Sequence, residues 1–191
     1  MDSLQRAQSP LRSPSQASGL LATEPQRLEI ESLTAESFAP YGQVVEPQPD
    51  GVLFGFQDAQ LDLAAGQPRF YLMRLRQRGL RFDRITRHQR CTQCLGALGG
   101  QSWLLAVAPP SVGEPPEMAL LKAFEIPGDR FIKLHLGTWH AGPYFEAEQV
   151  DFYNLELSDT NEVDHETFCF EEHGPLTFER VVAGPDPGAR V

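Results

Sequence analysis

Ile132-Lys133-Leu134-His135-Leu136, preceded by Phe131 and followed by Gly137-Thr138-Trp139-His140, alternates apolar and polar residues and then turns on a glycine. A period of two is the mark of a β-strand. Ile132, Leu134 and Leu136 fall on one face, Lys133 and His135 on the other. The expectation is that the apolar face packs and the polar face works, because a one-residue slip would exchange the two sets. Similar short extended runs cover residues 28–31, 70–75, 82–88, 94–98, 102–108, 119–126, 151–157 and 176–182, separated by Gly, Pro or charged turns. The only helical signal is at 34–38, where Thr34 is placed to cap a short helix that ends before Pro40-Tyr41-Gly42. Many short strands with one or two short helices predict an all-β protein, an antiparallel sandwich or barrel. Periodicity alone leaves jelly roll, immunoglobulin-like sandwich and lipocalin-like barrel open.

The chain has 191 residues, enough for a sizeable core, and is expected to form one globular unit with tails. Residues 1–26, rich in Ser, Gln and Pro, read as a disordered leader. Arg6, Arg12 and the scarcity of acids there keep a transit peptide as the alternative. The folded part is expected over 27–182 and a flexible tail over 183–191, where two prolines and two glycines oppose regular structure. With 16 Lys and Arg against 26 Asp and Glu, the net charge of −10 argues against nucleic acid or an anionic membrane as partner. A small-molecule substrate is expected instead. No run of 18 apolar residues and no secretory signal pattern is present, so a soluble, cytoplasmic protein is expected. Three cysteines suit a reducing compartment. Cys91 and Cys94 share a C-x-x-C spacing without a second pair, and read as small core thiols rather than half of a zinc site.

Two clusters carry chemistry. His135 and His140 flank the Gly137 turn, and Arg87, His88, Arg90, Thr92 and Gln93 crowd into one short span. Imidazole serves as acid, base or ligand near neutral pH. Strand parity puts His88 with Arg90, while Gln93 needs a bulge or turn to join them. Arg87, of opposite parity, reads as a surface or dimer contact, and Trp139 as packing. Asp151 is read equally as orienting an imidazole or bonding a backbone amide. His165 and His173 lie among Glu162, Asp164, Glu166, Glu171 and Glu172 and read as residues of a solvated acidic loop. Gly99-Gly100 reads as a hairpin turn, and 109–116 as a rigid proline-rich connector.

The order Arg87-His88-x-x-x-Thr92-Gln93, then Ser102-Trp-Leu-Leu-Ala-Val107, then Gly137-Thr138-Trp139-His140, then Asp151-Phe152, resembles the ureidoglycolate lyase family. The opening Leu33-Thr34-Ala35-Glu36-Ser37-Phe38-Ala39-Pro40-Tyr41-Gly42 is similar to that family's start. The resemblance implies a cupin-like jelly-roll β-barrel, usually a homodimer, that releases urea and glyoxylate from ureidoglycolate in allantoin breakdown. Family members often carry Glu where Thr86 stands, Pro where Gln89 stands and a further His where Ala141 stands. Against wider cupins, Arg90 occupies the place of a metal-binding His and Gln93 roughly that of a Glu, so no cofactor is expected and a divalent metal is the alternative. His88 and His140 are the expected acid and base, roles unassigned. Arg90 is the expected carboxylate anchor, with Lys133 as its substitute. Gln93 would hold the urea amide, and His135 would support the pocket. The competing readings are a cupin-like small-acid binding or regulatory protein without this activity, and a metal-dependent enzyme on another hydroxy or ureido acid.

Overall fold

The computed structural model describes residues 25–113, 115–170 and 174–180. The expected leader up to residue 24, the tail over 183–191 and His173 lie outside the described residues. In chain order the elements are β1 (Gln26–Ser32), α1 (Ala35–Phe38), β2 (Gly42–Val45), β3 (Pro68–Arg76), β4 (Arg81–Phe82), β5 (Arg84–Arg87) and β6 (Gln93–Ala97). They continue with β7 (Gly100–Ala108), β8 (Lys122–Gly128), β9 (Phe131–Leu134), β10 (Trp139–Tyr144), β11 (Gln149–Leu157), α2 (Thr160–Val163), β12 (Glu166–Cys169) and β13 (Leu176–Glu179).

These strands make two sheets: β12-β5-β10-β7-β8-β1-β13-β4 and β2-β9-β6-β11-β3. The result is the expected all-β, cupin-like architecture. Pairing is antiparallel except that β1 runs parallel to both β8 and β13. Leu95, Phe152, Leu105, Phe124, Ile132 and Leu134, drawn from both sheets, interdigitate as one core. The other face of the eight-stranded sheet buries a second cluster around Phe82, Ile85, Trp139 and Phe178. Trp103-Leu-Leu-Ala-Val-Ala108 is therefore buried on both faces, which explains why it reads as a continuous apolar run instead of an alternating one. Helix α1 forms as predicted: Ser37 N–H donates to Thr34 Oγ1 at 3.0 Å, Thr34 N–H donates back to Ser37 Oγ at 3.0 Å, and Phe38 packs edge-on to Phe124.

Several boundaries differ from expectation for local reasons. The 82–88 run breaks at Asp83, whose carbonyl accepts from Phe170 N–H at 2.8 Å, so His88 sits just beyond the end of β5. The first part of 119–126 is a 3-10 turn over Met118–Leu120, and β9 ends at Leu134 before Gly137, at φ 77°, reverses the chain. Strand β10, absent from the runs read in the sequence, contains Gly142-Pro143, and a register shift between Ala141 and Tyr144 accommodates the pair. Strand β12 was expected as acidic loop, yet it pairs with β5 at the edge of the larger sheet. Gly99 and Gly100, at φ 78° and 73°, turn the chain from β6 in one sheet to β7 in the other. Arg87 is not a surface contact: it is 4% exposed, forks onto Glu166 at 2.8 and 2.9 Å, and lies 4.4 Å over the Trp139 ring.

Candidate active site

Register determines which side chains meet. His140 pairs with Thr86 and Val107, and Thr167 pairs with Thr86 from the far side, so His140, Thr86 and Thr167 share the face of the larger sheet that looks toward the smaller one. Glu166 opposes Arg87, and one step beyond those strand ends His165 comes against His88. On the smaller sheet Gln93 pairs with Leu134, Leu95 with Ile132 and Asn154, and Asn154 with Tyr71. Both sets line one cavity of about 390 Å³ between the sheets.

Three imidazoles meet there. The His88 and His140 rings are 5.1 Å apart between centroids, and His165 stands edge-on to His88 at 5.5 Å. His88 Nδ1 donates a short hydrogen bond to Asp164 O, and His140 Nδ1 donates to Thr138 O at 3.1 Å. Each ring thereby holds its proton on Nδ1 and leaves Nε2 as the free base. Burial first, then the facing His88, pushes His140 from its ordinary 6.5 down to about 3. His165 is lowered for the same two reasons, in the same order.

Asp164 fixes the loop that carries His88. Its carboxylate accepts from Gln89 N–H at 2.7 Å and Arg90 N–H at 2.8 Å while its carbonyl takes the His88 proton, and Gly137 N–H donates to His88 O at 2.7 Å. Asp164→Ala would orphan the two amides and slacken the loop that carries His88, while the backbone carbonyl that accepts from the imidazole stays in place; a buried donor left unpaired costs about 1–3 kcal/mol. The expected result is a loss of about 1–3 kcal/mol in stability, measured by denaturant unfolding of the variant against the parent protein.

Of the residues singled out in the sequence, His88, Gln93 and His140 line this cavity, whereas Arg90, Lys133 and His135 do not. Arg90 sits in the bend between β5 and β6, where strand parity no longer applies, and turns outward to Asp159 at 2.9 Å and Ala65 O at 3.0 Å. Lys133 and His135 do share a face, with Nζ 3.0 Å from Nδ1, but Lys133 pairs with Cys94 and Gln43 on the side of the sheet away from the cavity. His135 Nε2 bonds Ala39 O at 3.2 Å. The expected division into a packing face and a working face is thus reversed, since Leu134 and Gln93 point the same way. The cations at the cavity are Arg84 and Arg78, the latter 4.4 Å over the Tyr144 ring.

Asp151 forks onto Arg74 at 2.8 and 2.9 Å and orients no imidazole. His165, expected in a solvated loop, is the residue that sequence reading passed over, along with Asn154 and Glu156. The signal for His165 was available only through the β5–β12 pairing. Cys91 is buried with its thiol raised by burial, Cys94 is half-buried and pushed up to about 11 by the same cause, and Cys169 is exposed rather than in the core. Among the described residues no three His, Cys, Asp or Glu side chains are grouped so as to hold a metal ion.

A profile described as ureidoglycolate lyase matches residues 25–177. The chain belongs to the ureidoglycolate lyase family. Relatives within the family include the ureidoglycolate lyase of Pseudomonas syringae pv. tomato, 30% identical over 84% of this chain and 96% of that protein. The ureidoglycolate lyase of Pseudomonas fluorescens is 29% identical over 83% of this chain and 97% of its own length. That of Pseudomonas paraeruginosa is 29% identical over 76% and 92%. The ureidoglycolate lyase match thus covers nearly every element that builds the cavity, from β3 to β12.

Proposed function

We propose that this protein is a cytoplasmic, homodimeric ureidoglycolate lyase that converts ureidoglycolate to glyoxylate and urea in purine breakdown. The observation that carries this reading is the pair of imidazoles, His88 and His140, with each Nδ1 committed to a backbone carbonyl and each Nε2 left free at one cavity. Ureidoglycolate bears a carboxylate beside a carbon that holds a hydroxyl and a ureido nitrogen. Cleavage moves the hydroxyl proton to a base, turns the C–O bond into C=O, breaks the C–N bond, and gives the departing nitrogen a proton. His140, neutral at working pH, cannot be the resting proton donor and serves to accept the hydroxyl's hydrogen bond. The hydroxyl then turns its O–H from His140 to His88 Nε2, which takes the proton and returns it to the urea nitrogen, so no net proton is consumed. His165 shields this exchange from one side. The substrate carboxylate is assigned to Arg84 and Arg78, in place of Arg90 and Lys133, because these two guanidinium groups reach the cavity.

No step in this scheme calls on a metal. The carboxylate at the cavity wall, Glu156, already accepts from Gln93 Nε2 at 2.9 Å and Tyr71 Oη at 3.2 Å. No helix among the described residues is long and apolar enough to cross a membrane. The outer face of β3 and β11 exposes Phe70 and Leu72 beside Tyr153, which supports pairing of two copies there. Purified protein supplied with ureidoglycolate is expected to release urea and glyoxylate in equal amounts, at the same rate with and without a chelator. Absence of both products would return the protein to the class of non-catalytic binders. Loss of rate with chelator alone would favour a metal-dependent reaction.

A further inference from the structure

Two buried amide oxygens at the cavity wall, Gln93 Oε1 and Asn154 Oδ1, have no hydrogen-bond partner. Such orphans are uncommon in folded proteins, because an unpaired buried acceptor keeps its desolvation cost, and at a cavity they point to a ligand that supplies the missing donors. Their orientation is not arbitrary. Glu156, 1% exposed, is an acceptor-only group, so Gln93 must present Nε2 to it, at 2.9 Å, and turn Oε1 away. Tyr71 spends its hydroxyl proton on Glu156 at 3.2 Å and so can only accept from Asn154, whose Nδ2 donates to it at 3.0 Å. Asn161 Nδ2 adds a third, longer contact to the same carboxylate at 3.5 Å. One buried carboxylate therefore sets the polarity of two side-chain amides of the cavity wall and leaves one acceptor on each without a partner.

We infer that Gln93 and Asn154, polarised by the positioning residues Glu156 and Tyr71, form an N–H recognition site that selects a ligand's ureido end. The inference rests on the lyase reading for the identity of the substrate and extends it by naming what distinguishes a ureido group from other acyl groups. A terminal –NH₂ offers two donors to two acceptors, whereas a methyl or hydroxyl group in its place leaves at least one of them unpaired. Sites built to bond a particular donor reject analogues lacking it far more strongly than apolar pockets reject a change in size. The cations lie elsewhere on the wall, with Arg78 over the Tyr144 ring, so the cavity has an acceptor pole for nitrogen and a cationic pole for carboxylate.

Ureidoacetate and N-acetylglycine test this without any turnover, since they differ only in carrying –NH₂ or –CH₃ at the terminal position. Calorimetry on the full chain is expected to show ureidoacetate binding at least about tenfold tighter than N-acetylglycine. In Glu156→Gln the new amide can donate to Gln93 Oε1 and let the Gln93 amide turn over, so the preference is expected to fall below about threefold with glyoxylate binding unchanged. Asn154→Leu, which removes one acceptor outright, should narrow the preference in the same way and serves if Glu156→Gln does not fold. Equal binding of the two ligands by the parent protein overturns the inference, as does a variant that weakens ureidoacetate, N-acetylglycine and glyoxylate alike. A parent protein that discriminates yet releases no urea from ureidoglycolate upholds the recognition site and overturns the lyase reading.

Discussion

Alanine in place of His88 is expected to lower kcat for urea release by roughly 10²- to 10⁴-fold, the range carried by a well-placed general acid–base group. The magnitude follows from position as much as from chemistry. His88 is held by its Nδ1 bond to Asp164 O, its carbonyl is tied to Gly137 N–H at 2.7 Å, and its ring faces both His140 and His165. His140 is kept neutral, and the other imidazole at the cavity wall, His165, stands edge-on to His88 at 5.5 Å, so any residual proton transfer in His88→Ala falls to His165. His140→Ala is expected to cost less, about tenfold in kcat/KM and mostly as a rise in KM, since it removes an acceptor for the substrate hydroxyl and not the proton transfer. Initial rates of urea formation over a range of ureidoglycolate concentrations measure both. Turnover within threefold of the parent in a folded His88→Ala protein would exclude the proton transfer assigned to it.

Stability should fall on mild acidification, and His140 sets the sign. Its folded value of about 3 lies below the ordinary 6.5, so between those limits the unfolded chain binds a proton that the folded chain refuses. The stabilisation is complete above pH 6.5 and is lost progressively as pH falls toward 3. From pH 7.5 to pH 5 the loss from His140 alone is about 2 kcal/mol, a large share of the margin of a typical domain. His165 and His135 are lowered too and push in the same direction. Denaturant unfolding at the two pH values measures the loss, and His140→Gln should remove most of the difference. A wild-type midpoint that does not move between pH 7.5 and 5 would show that His140 is not buried as a neutral ring.

Much of the architecture is legible in the chain because short-range chemistry dictates it. Thr34 and Ser37 can cap α1 without help from any distant residue, and Gly137, Gly99 and Gly100 mark turns because they alone accept positive φ at no steric cost. Alternation in 131–134 reports a strand wherever that strand lies. The boundaries that fail are those where a partner decides. Strand β12 has little apolar periodicity of its own and exists as an edge because β5 offers it hydrogen bonds. Gly142-Pro143 remains in β10 because the facing β7 permits a register shift.

The site divides along the same line. Motif order is enough to select His88, Gln93 and His140, and register brings them to one cavity. Lys133 and His135 were grouped correctly with each other but put on the wrong side, because a period of two says which residues share a face and nothing about what that face meets. In a two-sheet barrel the apolar face turns inward, and the cavity is inside as well, so Gln93 and the histidines that line it are found on the side of Leu134 and Leu95 rather than opposite them. His165 enters through a cross-strand neighbour 77 positions away, and Glu156, Tyr71 and Asn154 through the β3–β11 register.

The amino-acid sequence by itself determined the strand-rich class, the capped helix, the glycine turns, the acidic charge and the pair of histidines, all of which depend on residue type and spacing. Only the tertiary structure decided which face of each strand looks into the cavity, which cations stand at its wall, and that an acidic segment supplies a third imidazole. Those choices depend on hydrogen-bond register between strands far apart in the chain, and no local spacing encodes it.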